Sequence, residues 1–246
     1  MDQNIEKLQQ IINESKSVVL FTGAGISVPS GIPDFRSATG LYNTSSGIGY
    51  RPEEIISHSF FMRDQEDFYK FYKEKMCYED AKPNAAHTYF AKLEQAGRLM
   101  ATVTQNIDGL HQAAGAKVVY ELHGSIHRNY CMKCGASYSL DYVLRHKGVP
   151  KCDKCGGTIK PDVVLYEEGL DMDVISGAVN AIQRADTLII IGTSLVVYPA
   201  AGFINYFRGK NLVLINKSET GADYRANLVI HEDCAKVCEQ LEVPKD

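Results

Sequence analysis

Six short runs of consecutive apolar residues constrain this chain most. They fall at 17–21 (SVVLF), 99–103, 118–122, 187–191, 211–215 and 227–230. A strand with one wet face alternates apolar and polar residues, whereas a strand covered on both faces reads as an unbroken apolar run. Between these runs lie helix-like stretches at 86–96 and 173–183, and Ile5, Leu8 and Ile12 recur at helical spacing near the start. Strands alternating with helices predict an α/β fold whose parallel sheet carries helices on both faces.

Two stretches interrupt the alternation. Residues 42–82 hold a glycine- and serine-containing segment, then an aromatic helical pattern at Phe60, Phe61, Phe68, Phe71 and Tyr72. Residues 128–160 are poor in apolar side chains and contain Cys131-x-x-Cys134 and Cys152-x-x-Cys155, separated by 17 residues. That spacing is expected of a four-cysteine zinc ribbon, in which each turn aims two thiolates at one tetrahedral ion. Four sulfurs close the coordination shell, so the zinc is read as structural. Gly135, Gly156 and Gly157 follow the two turns, where the chain must double back. Cys77, Cys234 and Cys238 are read as packed thiols. Both stretches are expected to form a smaller lobe, with a helical module at 42–82 and a ribbon at 128–160. Residues 1–41, 83–127 and 161–246 form the main domain.

With 246 residues, the chain is long enough for a self-sufficient core. Lys and Arg number 26 against 30 Asp and Glu, a formal charge of −4, which argues against a chain built as a whole to coat nucleic acid or an acidic membrane. The densest apolar run, 188–191, falls far short of the ~20 residues that span a bilayer. MDQNIEKLQQ lacks the basic region and apolar stretch of a secretory signal. A cytoplasmic protein with reduced thiols, and no membrane partner, is expected.

The first apolar run stops at Gly23-Ala24-Gly25-Ile26-Ser27. Backbone amides in such a loop can approach a phosphate, although the third glycine of the dinucleotide fingerprint is replaced by Val28, and a tight turn without ligand remains open on these residues alone. Gly31-Ile32-Pro33-Asp34-Phe35-Arg36 follows. Thr104-Gln105-Asn106-Ile107-Asp108-Gly109 and Glu121-Leu122-His123-Gly124 each lie just past a strand end, where α/β sheets place ligands.

Together, GAGIS, GIPDFR, TQNID, ELHG and the paired C-x-x-C resemble the sirtuins, the NAD-dependent protein-lysine deacylases, of the bacterial type. The likeness continues through Pro161–Tyr166, Gly192–Pro199 and Asn216-Lys217, covering about residues 18–234. It implies a Rossmann-like NAD-binding domain and an enzyme acting on acyl-lysine proteins or peptides. In that family the acyl oxygen attacks the ribose carbon bearing nicotinamide, and the acyl group ends on ADP-ribose. The resemblance implies that His123 is the general base, Asn106 holds the ribose and a water, and Asp108 binds the nicotinamide carboxamide. Further implied cofactor residues are Gly23, Ala24, Gly25 and Ser27 on the glycine loop; Asp34, Phe35 and Arg36; Gln105 and Ile107; and Gly192, Thr193, Ser194, Asn216 and Cys234 toward adenosine. Phe35, Val164 and Tyr166 are expected to line the acyl-lysine channel.

Several positions carry alternatives. Asp34 either contacts the ligand or braces its own loop. His87 is expected to pack at a helix start capped by Asn84. Tyr72 and Lys75 have the spacing of a Tyr-x-x-Arg pair that some sirtuins use for acidic acyl groups, against a plain reading as a core aromatic beside a solvated lysine. Tyr166-Glu167-Glu168 stands where the family commonly reads F-G-E, with a strand conformation expected to remain open to Glu167. Acyl groups longer than acetyl, succinyl groups and protein ADP-ribosylation are alternatives within the family. Outside it stand hydride transfer and a binding module. The ribbon segment holds seven Lys or Arg against two acids, but nucleic acid is not expected as the primary partner, because a binder leaves the Asn106, Asp108 and His123 set unexplained.

Overall fold

A computed structural model describes residues 3–43 and 46–244. In chain order its strands are β1 (Val18–Thr22), β2 (Leu99–Thr104), β3 (Val119–Glu121), β4 (Gly124–Cys131), β5 (Ser137–Tyr138), β6 (Ile159–Val163), β7 (Thr187–Ile191), β8 (Asn211–Ile215) and β9 (Leu228–Ile230). Six of them make one sheet in the order β3-β2-β1-β7-β8-β9, with every pairing parallel.

Consecutive side chains of the apolar runs go to opposite faces. Val18 and Leu20, Ile189 and Ile191, and Val213 and Ile215 join a core with helices Gln3–Glu14, Ala85–Gln95 and Cys234–Cys238. Val19 and Phe21, Leu188 and Ile190, and Leu212 and Leu214 join another, with helix Met172–Arg184 and the 3-10 turn Ala200–Tyr206. The first helix buries Ile5, Leu8, Ile11 and Ile12 as one stripe. Asn84 caps helix Ala85–Gln95 by accepting from Ala86 N at 2.9 Å, and His87 Nδ1 accepts from Asn84 N at 3.3 Å.

The two insertions share a third core. Phe60, Phe61, Phe68, Tyr69, Phe71 and Tyr72 pack with Cys131, Cys152, Ile159, Val163 and Leu165. Ribbon strands pair antiparallel in the order β5-β4-β6. A six-residue helix, Leu140–Arg145, capped by Ser139, lies between the two cysteine turns, where the sequence offered no helical signal.

Candidate active site and metal centre

From β1 the chain proceeds to β2 and β3 on one side, and from β7 to β8 and β9 on the other. The carboxyl ends of β1 and β7 therefore flank the switch point, where an open parallel sheet leaves a crevice. The glycine loop leaves β1 here and rests directly on the loop after β7. Gly23 N donates to Ile191 O at 3.0 Å and Gly25 N to Gly192 O at 2.8 Å. A Cβ at Gly25 would lie 2.6 Å from Gly192 Cα, and one at Gly23 would lie 2.8 Å from Thr193 Cβ. Glycine is required at both by the lack of room between two backbones.

A cavity of about 740 Å³ opens above this contact, within the ~300–1,000 Å³ of small-molecule and cofactor sites. Every residue that the resemblance assigns to the cofactor lines it, from Gly23 through His123 to Cys234. Phe35, Val164, Tyr166 and Lys75 of the acyl-lysine set also line it. Tyr72 does not: its ring is fully buried in the aromatic core, stacked on Phe68 at 5.6 Å and 12°. Lys75 Nζ lies 2.9 Å from Glu74 Oε1. The Tyr72–Lys75 pair is thus not assembled at the cavity, because Tyr72 faces inward with the aromatic stripe.

Beside the crevice, His123 Nδ1 lies 2.9 Å from the Gln105 carbonyl. A carbonyl only accepts, so Nδ1 carries the proton and Nε2 keeps its lone pair. Burial pushes the imidazole pKa down, partly opposed by the Gln105 bond, so the ring is neutral at neutral pH. Ser27 joins the neighbouring polar groups: its hydroxyl donates to Asp108 Oδ2 at 2.7 Å and accepts from Asn106 Nδ2 at 3.1 Å. Asp108 Oδ1 accepts from Leu110 N at 2.9 Å, and burial pushes its carboxyl pKa up. Gln105 Nε2 donates to Thr193 Oγ1 at 3.0 Å, tying the β2 loop to the β7 loop. His127, given no role from the sequence, approaches the Asp108 carbonyl with Nε2 at 3.0 Å.

The loop after the glycine motif is largely bonded to itself. Asp34 Oδ1 accepts from Ser37 N at 2.9 Å, and Leu41 N and Tyr42 N donate to the Asp34 and Phe35 carbonyls. Asp34 braces its loop and also reaches the cavity wall. Tyr42, Leu41, Ile56 and Met76 line the cavity too. The sequence reading missed them, and the one signal for Tyr42 was an aromatic directly after Gly40-Leu41.

Opposite, residues 164–168 are fastened to the small lobe. Tyr166 N donates to Ile56 O and His58 N to Tyr166 O, both at 3.0 Å. Glu167 is not in a strand conformation: its φ is +74°, in the left-handed region that glycine adopts freely. Ser59 compensates, donating from its hydroxyl and amide to the Glu167 carboxylate, which holds that carboxyl below its ordinary pKa. Bonds from Ser59 to the Glu167 side chain thus stabilise a left-handed turn at the position where the family commonly carries glycine.

In the ribbon, Sγ atoms of Cys131, Cys134, Cys152 and Cys155 all lie within 4.8 Å of one another, with the 131–155 and 134–152 pairs at 3.4 and 3.6 Å. A tetrahedral ion with Zn–S of ~2.3 Å separates its sulfurs by about 3.8 Å, so the four thiols fit zinc. Gly135 and Gly156 have φ of 69° and 72°, and a Cβ at Gly157 would lie 2.8 Å from Cys131 Sγ. Cys77, Cys234 and Cys238 take no part in this cluster. Three of the ribbon's cations are paired with acids: Arg128 with Glu121 and Asp162, Arg145 with Asp141, and Lys160 with Glu168.

A family model described as Sir2 family matches residues 23–199. The chain is 61% identical over 238 residues to a Clostridium acetobutylicum protein named NAD-dependent protein deacetylase, covering 96% of this chain and 97% of that one. A protein of the same name from Staphylococcus epidermidis is 47% identical, with 97% and 96% covered. Among solved structures, Sir2 with a p53 peptide and NAD+ superposes with a TM-score of 0.84 at 39% identity, covering 96% of each chain. Sir2 bound to a propionylated peptide gives 0.83 at 38%, with 98% and 97% covered. The matched stretch takes in the glycine loop, His123 and all four ribbon cysteines, and the chain belongs to the Sir2 family, among its bacterial sirtuins.

Proposed function

We infer that this protein is an NAD-dependent protein-lysine deacetylase, transferring the acyl group of an acyl-lysine protein or peptide to ADP-ribose with release of nicotinamide. The observation that carries the reading is the neutral His123 at the switch-point crevice, its Nδ1 committed to Gln105 and its Nε2 left as a base. When bound, NAD supplies the ribose carbon whose bond to nicotinamide breaks and the hydroxyl that takes the acyl group.

The chain's own residues do the rest. Glycine-loop amides face the cofactor's phosphates, with Thr193, Ser194 and Asn216 toward its adenosine end. Asp108, held by Ser27 and Leu110, presents an acceptor for a carboxamide N–H, and Asn106, held by the same serine, orients the ribose. His123 Nε2 takes a proton from a sugar hydroxyl, a contribution typically of ~10²–10⁴-fold. Phe35, Val164 and Tyr166 hold the acyl-lysine. The zinc, if bound by the four cysteines, takes no part in the reaction: it holds the ribbon strands that carry the cleft's far wall. We place the enzyme in the cytoplasm; reduced ribbon thiols fit that compartment, and among the described residues no helix is long and apolar enough to cross a membrane.

The test is mass spectrometry of products from NAD with acetyl-, succinyl- and longer acyl-lysine peptides, for the native protein and His123→Ala. O-acetyl-ADP-ribose and nicotinamide should appear together, and His123→Ala should lower turnover ~10²–10⁴-fold with the fold intact. Deacetylation that proceeds without NAD, or near-native turnover in His123→Ala, overturns the reading.

A further inference from the structure

Tyr42 and Tyr166 meet across the crevice with their hydroxyls 2.7 Å apart. They belong to differently anchored parts of the molecule. Tyr42 sits in the self-bonded loop of Asp34, Phe35 and Arg36: its ring packs on Phe35 at 5.3 Å and 59°, and the Arg36 guanidinium lies 5.3 Å over its face. Tyr166 belongs to the segment clamped to the small lobe through Ile56 and His58, and the two glutamates after it are themselves held, Glu167 by Ser59 and Glu168 by His58 and Lys160. One hydroxyl pair therefore ties a loop bonded mostly to itself to a segment bonded to the small lobe. Burial and the Tyr166 partner keep the Tyr42 phenol protonated, so the bond persists across the working pH range.

We propose that the Tyr42–Tyr166 hydroxyl pair is a latch that sets the place of the Phe35–Arg36 loop, which makes Tyr166 a positioning residue for the cofactor while it stands on the wall assigned to acyl-lysine. The proposal deepens the NAD-dependent deacetylase reading and rests on it for the ligands named. The latch acts through two contacts: Tyr166 fixes the Tyr42 hydroxyl, and the Tyr42 ring fixes Phe35 and Arg36. Coupling between the two walls is reciprocal, so a peptide that steadies Tyr166 strengthens NAD binding by the factor with which NAD strengthens peptide binding. Phenylalanine at either position keeps the ring contacts and deletes only the bond.

The experiment compares Tyr42→Phe, Tyr166→Phe and the double variant by hydrogen exchange over residues 34–43 in the ligand-free protein, and by KM for NAD with an acetyl-lysine peptide. Each single variant should raise exchange in that loop, and KM for NAD, by about three- to ten-fold, the factor one neutral hydrogen bond commonly controls. The double variant should go no further than either single, since the same bond is lost in all three. Unchanged loop exchange in Tyr166→Phe, or effects that multiply in the double variant, overturn the latch. The exchange measurement needs neither ligand nor turnover: an enzyme inactive with NAD would sink the functional reading, while loop protection would still decide for or against the latch.

Discussion

Acid should destabilise this protein well before its carboxylates are neutralised, because two histidines are buried uncharged beneath the crevice. His87 and His111 are 1% and 2% exposed, with rings 4.9 Å apart. The Thr22 hydroxyl donates to Thr104 Oγ1 at 2.8 Å, so the contact of His111 Nε2 with Thr22 Oγ1 at 3.1 Å is a bond that the imidazole donates. Burial pushes His87 down to about 4 and His111 to about 3, the latter also by its neighbour His87. In the unfolded chain both titrate near ~6.5. Below that pH the unfolded state takes up protons that the native state refuses. The stability from neutral burial is therefore fully present above ~6.5 and is lost as pH falls toward the native values. Between pH 7 and pH 5 each histidine should cost about 2 kcal/mol, together about 4, out of the ~5–15 typical of a folded domain. Urea unfolding at pH 7, 6 and 5 measures this directly, with His87→Phe as the control. That variant removes one titrating ring, and with it the Asn84 N partner, so it starts from a different stability but should lose about 2 kcal/mol less on acidification. Carboxylates contribute equally to both proteins and cancel in the comparison. A native protein that loses under ~1 kcal/mol, or a His87→Phe profile parallel to it, would show that the pair is not buried neutral.

Two further perturbations test the site's construction. Gly25→Ala places a methyl 2.6 Å from Gly192 Cα, where ~3.5–4.0 Å is needed, so the β1 and β7 loops must part. The expected outcome is a loss of about 1–3 kcal/mol in thermal or urea unfolding and a raised KM for NAD, checked against Gly221→Ala, where a Cβ meets nothing within 4 Å. Metal analysis should find one equivalent of zinc in the native protein and none in Cys152→Ser, which should also loosen the aromatic core that Cys131 and Cys152 share with Phe61 and Tyr69. Activity lost with zinc retained would contradict a purely structural ion.

The sheet was legible because parallel strands buried on both faces leave an unmistakable record. The runs at 187–191 and 211–215 coincide with β7 and β8, and the alternating allegiance of Val18, Val19, Leu20 and Phe21 to two cores explains why all four had to be apolar. The cysteine spacing was equally readable, since tetrahedral coordination dictates it. The glycine loop alone was ambiguous, for Gly23 and Gly25 are required by a loop far away in sequence that no local pattern announces. Glu167 was misread for a related reason. A residue with a side chain gives no local sign of a left-handed backbone when the compensating bonds come from Ser59. Tyr72 shares its helical stripe with Phe68, and that periodicity says which residues lie together but not whether they face a cavity or a core. Tyr42 escaped notice because its function lies in a partner across the crevice, and pairs of that kind are invisible until the chain is folded.

The contact between Gly25 and Gly192 has a bearing on how the protein comes into being. During synthesis the glycine loop emerges early, yet the surface it leans on belongs to a strand made in the last quarter of the chain. Nothing short of that late strand can give the early loop its shape, so a nascent chain halted before residue 187 should carry Gly23, Gly25, Asn106, Asp108 and His123 and still be unable to hold a dinucleotide. Competence therefore waits until the two halves of the sheet are joined at β1 and β7.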